Sequence, residues 1–345
     1  VRFAQGGLVT RLSLTTAVES WPLKKAFRIS GHVFSVSRNL LVTLDDGTHQ
    51  GRGEAQGVYY HGDTAESLAA EVEGVRAAIE AGIDRAALQT LLPAGGARNA
   101  IDCALWELES RRAGKPVWML AGLDAPRPLR STWTIGCDTP DVMARDAVGY
   151  AVARSLKLKL IGDGEDAARV RAVRAARPDV WIGVDANQGL DRAGLEALIP
   201  ALVEADVSLI EQPVPVGADA MLDGLNSPIP IAADESALTL DDVAGLKGRY
   251  DVINIKLDKC GGLTEGLAIA HAARDLGLQV MVGNMTGTSL AMAPSFVVGQ
   301  LCDIVDLDGP LLLARDRHDG VVYADGRIDC PPGVWGAALV EGVSA

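Results

Sequence analysis

The chain has 345 residues, 48% hydrophobic and 22% charged, which is an ordinary globular composition with room for two domains or one large barrel with an appendage. Its net charge of −13 argues against a nucleic-acid partner, because a phosphate backbone attracts a basic surface. No apolar run reaches the roughly 18 residues of a membrane span, no charged-then-apolar leader opens the chain, and Cys103, Cys137, Cys260, Cys302 and Cys330 never form a C-x-x-C pair, so a soluble cytoplasmic protein with reduced thiols is expected.

Residues 8–60 read as an antiparallel meander: LVTRLSLTTAVES alternates apolar and polar, FRISGHVFSVSRNLLVTLDDG does so loosely and ends in a DG turn, and HQGRGEA follows. Helical periodicity takes over in 64–82 and 97–114, with Thr64 placed as an N-cap and Gly114 as a C-terminal stop. Strands followed by helices predict an α+β unit over residues 1–125, and DAPRPLR (124–130), with two prolines, reads as a linker. From 126 to 309 short β-like runs recur at 131–136, 155–160, 181–187, 208–213, 230–236, 252–257, 279–284 and 303–309. Helical stretches such as DAARVRAVRAARPD separate them, at a period of roughly 25 residues. Eight strands with seven intervening helical segments predict a (β/α)7β barrel of the TIM type, its last helix missing or replaced. An open doubly wound sheet is the weaker reading, because no G-x-G-x-x-G follows an early strand. Residues 310–345 have turn and strand character and are expected to return to the N-terminal unit.

Chemistry in such barrels sits at the C-terminal strand ends. Lys157 and Lys159, Asp185 and Asn187, Glu211, Asp234 and Glu235, Lys256, Asn284, and Asp306 and Asp308 occupy those positions on successive strands. Asp185, Glu211 and Asp234 would repel one another unless a cation joined them, and one oxygen from each of three strands suits octahedral Mg²⁺, with Mn²⁺ as second choice. The bland reading, in which each acid caps a helix, explains single residues but not the lysines beside them. In LKLKL (156–160) the leucines share one face and the lysines the other, so leucines packed on helices leave Lys157 and Lys159 in the lumen. Lowering a lysine from about 10.4 to about 7.5 takes roughly 4 kcal/mol, which a neighbouring ammonium and a dication can supply. Lys256, four strands on, should face Lys159 across the mouth. One lysine could then remove the proton α to a metal-held carboxylate while the other returns a proton to the opposite face through an enediolate. The five histidines form neither HxH nor HExxH, which removes the usual zinc-hydrolase readings.

LKLKL, VDAN, IEQP, ADES and IKLDKCGG, in that order and at βα spacing, resemble the enolase superfamily in its muconate-lactonizing subgroup, and the resemblance covers most of the chain. It implies a capping domain in the first unit, Lys159 and Lys256 as acid/base pair, Lys157 as support for charge at the substrate carboxylate, and Mg²⁺ on Asp185, Glu211 and Asp234. Asn187 and Glu235 are then expected behind these groups. VDLDGP is similar to the Asp-x-Asp motif of dipeptide epimerases, which implies that Asp306 and Asp308 receive a substrate ammonium group; turn chemistry is the rival reading for Asp308. NMTGTS (284–289) departs from the Met-x-Glu-Ser-like run common in those epimerases, since it lacks the acid. The segments 20–28 and 57–63 are expected as loops that close over the mouth and choose the substrate. Lys24, Lys25 and Arg28 hint at an acidic one, with Arg28 and Asn284 as candidate contacts; His61 reads as a loop residue. The resulting expectation is an isomerase, an epimerase of dipeptides, working on a small molecule with neither nucleic acid nor membrane as partner. An N-acylamino acid racemase, an o-succinylbenzoate synthase and a muconate cycloisomerase stand as alternatives, and assembly of identical subunits is left open.

Overall fold

The computed structural model describes residues 11–339; residues 8–10 of the expected first strand and the tail beyond 339 lie outside them. Three antiparallel strands, β1 (Ser13–Ile29), β2 (His32–Asp45) and β3 (Gln50–Ala55), open the chain. The run expected as one strand from Phe27 is cut at Gly31, whose φ of 72° makes a tight hairpin tip. Residues 20–28 therefore belong to β1 rather than to a loop, with an irregular register between Pro22 and Phe27, where proline offers no N–H. Next come α1 (Ala65–Gly74), α2 (Arg76–Glu80), α3 (Arg85–Leu91), α4 (Gly96–Ala113) and α5 (Val117–Leu120). Thr64 caps α1 in a reciprocal box with Ser67, and Gly114 ends α4 in the left-handed region. The single helix expected over 64–82 breaks at Val75, just after Gly74. Leu40, Val42, Leu44, Leu68, Val72, Ile101 and Leu108 form the core of this unit.

The expected linker ends in a short strand, β4 (Leu129–Arg130). Eight strands then lie side by side in chain order, all parallel: β5 (Trp133–Ile135), β6 (Ser155–Lys159), β7 (Trp181–Asp185), β8 (Val207–Glu211), β9 (Ile231–Ala233), β10 (Val252–Ile255), β11 (Gln279–Val282) and β12 (Ile304–Val305). The Thr132 N–H donates to the Val305 carbonyl at 2.9 Å, joining the two edges of the curled sheet. The crossovers carry α6 (Pro140–Gly149), α7 (Asp166–Ala176), α8 (Arg192–Glu204), α9 (Val243–Leu246), α10 (Leu257–Cys260), α11 (Leu263–Asp275) and α12 (Ser289–Gly299). One expected helix is absent: between β8 and β9 there is only a 3-10 turn, Asp219–Leu222. Gly217 (φ 80°) and Gly224 (φ 69°) turn the backbone through the left-handed region at both ends of that segment, which stops a helix from extending. Leu156, Leu158 and Leu160 join the core between sheet and helices, whereas Leu209, Ala232, Val252 and Met281 form a separate apolar plug. No helix among the described residues is long and apolar enough to cross a membrane.

After β12 comes α13 (Gly309–Leu312), then the hairpin β13 (Val322–Ala324) and β14 (Arg327–Asp329), with β14 paired to β4. The chain then reaches the first unit, where the Trp335 indole donates to the Arg52 carbonyl at 3.0 Å and the Gly336 N–H to Glu107 at 3.1 Å. Helix α4 docks on the KCGG turn: Asp102 accepts from the Thr264 N–H at 2.9 Å and its hydroxyl at 2.6 Å, and Arg98 donates to the Cys260 carbonyl at 2.6 Å. Gly262 has φ 119°, and a Cβ there would lie 2.5 Å from the Asp102 Cβ. Gly262→Ala is accordingly expected to lower unfolding stability by about 1–3 kcal/mol, measured by denaturant titration; an unchanged midpoint would show that the junction yields without strain.

Candidate active site

Register brings the site together. Lys159 pairs with Asp185, and Asp185 with Glu211, so three side chains leave neighbouring strands at one level and on one face. Asp234 and Lys256 follow β9 and β10 directly. Past β7 and β8 the backbone turns through the left-handed region at Asn187 (φ 41°), Gln188 (φ 67°) and Gln212 (φ 33°), a strained conformation that concentrates at functional sites. Lys157 and Lys159 are 4% and 6% exposed, so the cationic face of LKLKL is interior.

Each charge has a partner. Lys159 Nζ donates to Asp185 Oδ2 at 2.5 Å and to Asn187 Oδ1 at 3.0 Å, and Asn187 Nδ2 continues to Glu235 Oε1 at 3.2 Å. Lys256 Nζ donates to Asp234 Oδ2 at 2.6 Å. Lys157 Nζ is bonded to Asp306 and lies 3.4 Å from Glu211 and 3.7 Å from Asp185. Burial alone would lower the lysines, but the carboxylates around them hold Lys157 and Lys256 well above the usual lysine range. That direction is opposite to the one expected from mutual lysine repulsion, because each has a carboxylate in contact. Burial likewise works against charge on Asp185 and Asp234, yet the lysines outweigh it and hold both carboxyls low.

Glu211 behaves differently: burial and the neighbouring Asp185 push it up to about 8, and its Oε2 is buried with no hydrogen-bond partner. The wider cluster explains this. Asp185, Glu211, Asp234, Glu235, Asp306 and Asp308 are all buried, against Lys157, Lys159, Lys256 and Lys259, which leaves two negative charges uncompensated. Asp185, Glu211 and Asp234 each offer an oxygen within 4.8 Å of the others. An orphaned acceptor, a twofold charge deficit and an all-oxygen donor set fit one hard divalent cation.

Asp306 also accepts from the Thr132 hydroxyl, and Asp308 accepts from the Thr134 N–H at 2.6 Å. Burial and Asp306 push Asp308 up to about 6. Asn284 donates to the Asp306 carbonyl at 2.6 Å and lines the cavity above the lysines. Arg28 is not brought in: Phe27 and Ile29 line that cavity, while Arg28 between them is exposed. Lys24, Lys25 and His61 are exposed too, and Lys25 pairs with Asp146. Sequence reasoning missed Lys259, which donates to Asp234 Oδ1 at 2.6 Å, and Asn254, which donates to Glu211 Oε1 at 2.7 Å. Lys259 stood in plain view within IKLDKCGG; Asn254 is a polar residue inside the apolar run VINI, which was a signal. An acid of the first unit reaches the NMTGTS loop. Glu54 on β3 accepts from the Thr288 N–H at 2.8 Å, and its Oε1 lies 3.3 Å from where a Cβ on Gly287 would stand.

Residues 142–334 match the family described as enolase C-terminal domain-like, and residues 11–122 match the mandelate racemase / muconate lactonizing enzyme N-terminal domain. The chain belongs to that enolase family. It is 39% identical to the L-Ala-D/L-Glu epimerase of Escherichia coli over 90% of this chain and 97% of that one. An enolase family member from Agrobacterium tumefaciens with homology to dipeptide epimerases, solved with sodium and L-Ala-L-Glu, is 40% identical and superposes with a TM-score of 0.92 over 94% of this chain and all of that one. The dipeptide epimerase of Methylococcus capsulatus, solved with Mg and L-Arg-D-Lys, is 31% identical with a TM-score of 0.87, over 95% of this chain and 99% of that one.

A cation that binds only the folded chain stabilises it by mass action, about 2.7 kcal/mol at a hundredfold excess over Kd. Millimolar Mg²⁺ should therefore raise the melting temperature, and Glu211→Gln should abolish that rise; an equal rise in the variant would place the metal elsewhere.

Proposed function

We propose that the chain is a divalent-metal-dependent epimerase of dipeptides, inverting the α-carbon of the C-terminal residue by two-base 1,1-proton transfer. The observation that carries this reading is the placement of Lys159 and Lys256, four strands apart in an eight-stranded curled sheet, lining one cavity over the Asp185–Glu211–Asp234 cluster. A bound Mg²⁺, or Mn²⁺ as second choice, would supply a fixed positive charge against the negative charge that develops on the substrate carboxylate when its α-carbon loses a proton. Lys159 Nζ or Lys256 Nζ, whichever is neutral, takes the α-proton from its own face, and the opposite ammonium returns a proton to the other face. Asp185 and Asn187 orient Lys159, and Asp234 orients Lys256. Lys157 adds a buried cation beside Glu211 and Asp185.

The free-amine substrate is favoured over an N-acylated one by Asp306 and Asp308. Lys157 is in contact with Asp306, while Asp308 has no cation in contact among the described residues and accepts from the Thr134 N–H, which leaves it as the carboxylate for a substrate ammonium to meet. An N-acylamino acid brings no cation to that place. We infer a cytoplasmic location from the five unpaired cysteines.

With Mg²⁺ in D₂O, a free-amine dipeptide should acquire deuterium at its C-terminal residue's α-carbon in both epimers, read by mass and chiral chromatography. Lys159→Ala and Lys256→Ala should each cut epimerisation by about 10³-fold or more, while each variant still exchanges the α-proton of one epimer, a different one in each. Epimerisation at the parental rate in either variant would defeat the two-base scheme. Asp308→Asn should raise KM for dipeptides about tenfold or more and leave N-acylamino acids unaffected; the same KM for dipeptides would make Asp308 a turn residue.

A further inference from the structure

In the proposed reaction the four substituents of the reacting carbon take separate directions. Its hydrogen would face one of the two lysines, its carboxylate the side of Asp185, Glu211 and Asp234, and its amide nitrogen the side of Asp306 and Asp308. The side chain is left to face the roof. That roof is built by the first unit: Phe27, Ile29 and Phe34 from the β1–β2 hairpin and Tyr59 and Tyr60 from the following turn, with Met285 completing the wall from the barrel. The aromatic groups hold one another, Phe34 against Tyr59 at 5.3 Å and Tyr59 against Tyr60 at 5.1 Å between ring centres, both edge-to-face.

The same wall offers an acidic side chain no free cation. Among the described lining residues the cations are Lys159 and Lys256, each bonded to a carboxylate of the cluster below. Glu235 also lines the cavity and adds no cation to it. The cations of the first unit that could have reached over, Lys24, Lys25 and Arg28, are exposed and outside the lining. The Tyr60 hydroxyl is buried without a partner, and with the half-buried Gln56 and Thr286 side chains of the lining it suits a hydrogen bond to a neutral polar tip.

We infer that the residue this enzyme epimerises carries an apolar or aromatic side chain and not an acidic one. The inference rests on the dipeptide reading above and narrows it. Phe34 is the wall residue through which to test it, because it is half-buried at the edge of the roof, where an arginine tip can stay hydrated in the free enzyme.

The experiment is kcat/KM, with Mg²⁺, for L-Ala-L-Phe, L-Ala-L-Leu, L-Ala-L-Gln and L-Ala-L-Glu, the Gln and Glu pair separating charge from size. L-Ala-L-Phe and L-Ala-L-Leu should exceed L-Ala-L-Glu by at least ~10-fold, with L-Ala-L-Gln between them, because an unpaired buried carboxylate is rejected more strongly than a misfitting neutral group. Phe34→Arg should shift the Glu-to-Phe ratio toward Glu by about tenfold or more. A parental preference for L-Ala-L-Glu overturns this inference and leaves the dipeptide reading standing. An unmoved ratio in Phe34→Arg, with activity retained, also overturns it by removing the roof from specificity. Exchange in none of the four dipeptides overturns the dipeptide reading and this inference together.

Discussion

Asp185, Glu211 and Asp234 are essentially without solvent contact, and three carboxylates removed from water on adjacent strand ends require cations in contact. Much of the barrel's upper half follows from that requirement. Lys157, Lys159, Lys256 and Lys259 approach the acids from three of the surrounding chain segments, and Asn254 satisfies the one Glu211 oxygen that no lysine reaches closely. The apolar plug of Leu209, Ala232, Val252 and Met281 is drawn from the same central strands, and the low dielectric it maintains strengthens every charge contact nearby. A cluster held this tightly is preorganised: its side chains have few alternative rotamers that keep their partners.

The first unit is fixed to the barrel by the same kind of contact. Glu54 leaves β3, buried, with Oε1 accepting from the Thr288 N–H and, at 2.7 Å, from Asn39 Nδ2, and Oε2 accepting from Arg317. This carboxylate therefore couples the meander to the loop after β11, the loop that supplies Asn284 and Met285 to the cavity. At the other side, Asp258 accepts from the Gln56 and Gly57 N–H groups at 2.9 and 3.0 Å, two residues after Lys256 and two before Tyr59. The roof and the floor of the cavity are thus set relative to each other by buried hydrogen bonds at both sides, not by a flexible hinge in the described chain.

Legibility in the sequence followed how locally each feature is determined. The strands could be placed because a parallel barrel strand is a short apolar run followed by polar residues, and LKLKL, VDAN and IEQP carry their orientation within five residues. The helix expected between β8 and β9 is absent because the period of the repeat does not register glycines in the left-handed region, Gly217 and Gly224, which break that segment. Arg28 failed for a different reason. Its charge suggested a substrate contact, but the two-residue period that correctly oriented the lysines also turns Arg28 away once Phe27 and Ile29 face the cavity. Glu54 was beyond reach, since its partners lie 234 and 263 residues along the chain and nothing local marks HQGRGEA as reaching a distant loop.

Lys157 and Lys159 stand two residues apart on one strand face, yet their surroundings give them different chemistry. Lys159 sits at the end of β6, bonded to Asp185 and Asn187, and it lines the cavity opposite Lys256. Lys157 lies one pleat deeper, does not line the cavity, and is enclosed by Asp306, Glu211 and Asp185. A proton on Lys157 is held by three carboxylates away from the cavity lining, and in the proposed scheme it serves as a fixed charge. In that scheme a lysine that exchanges protons must give up contact with its carboxylate during the cycle, and Lys159 and Lys256 fit the part, since each faces the cavity and has a single carboxylate in contact. The division of labour we propose between the two lysines of one short strand is therefore a matter of depth in the barrel.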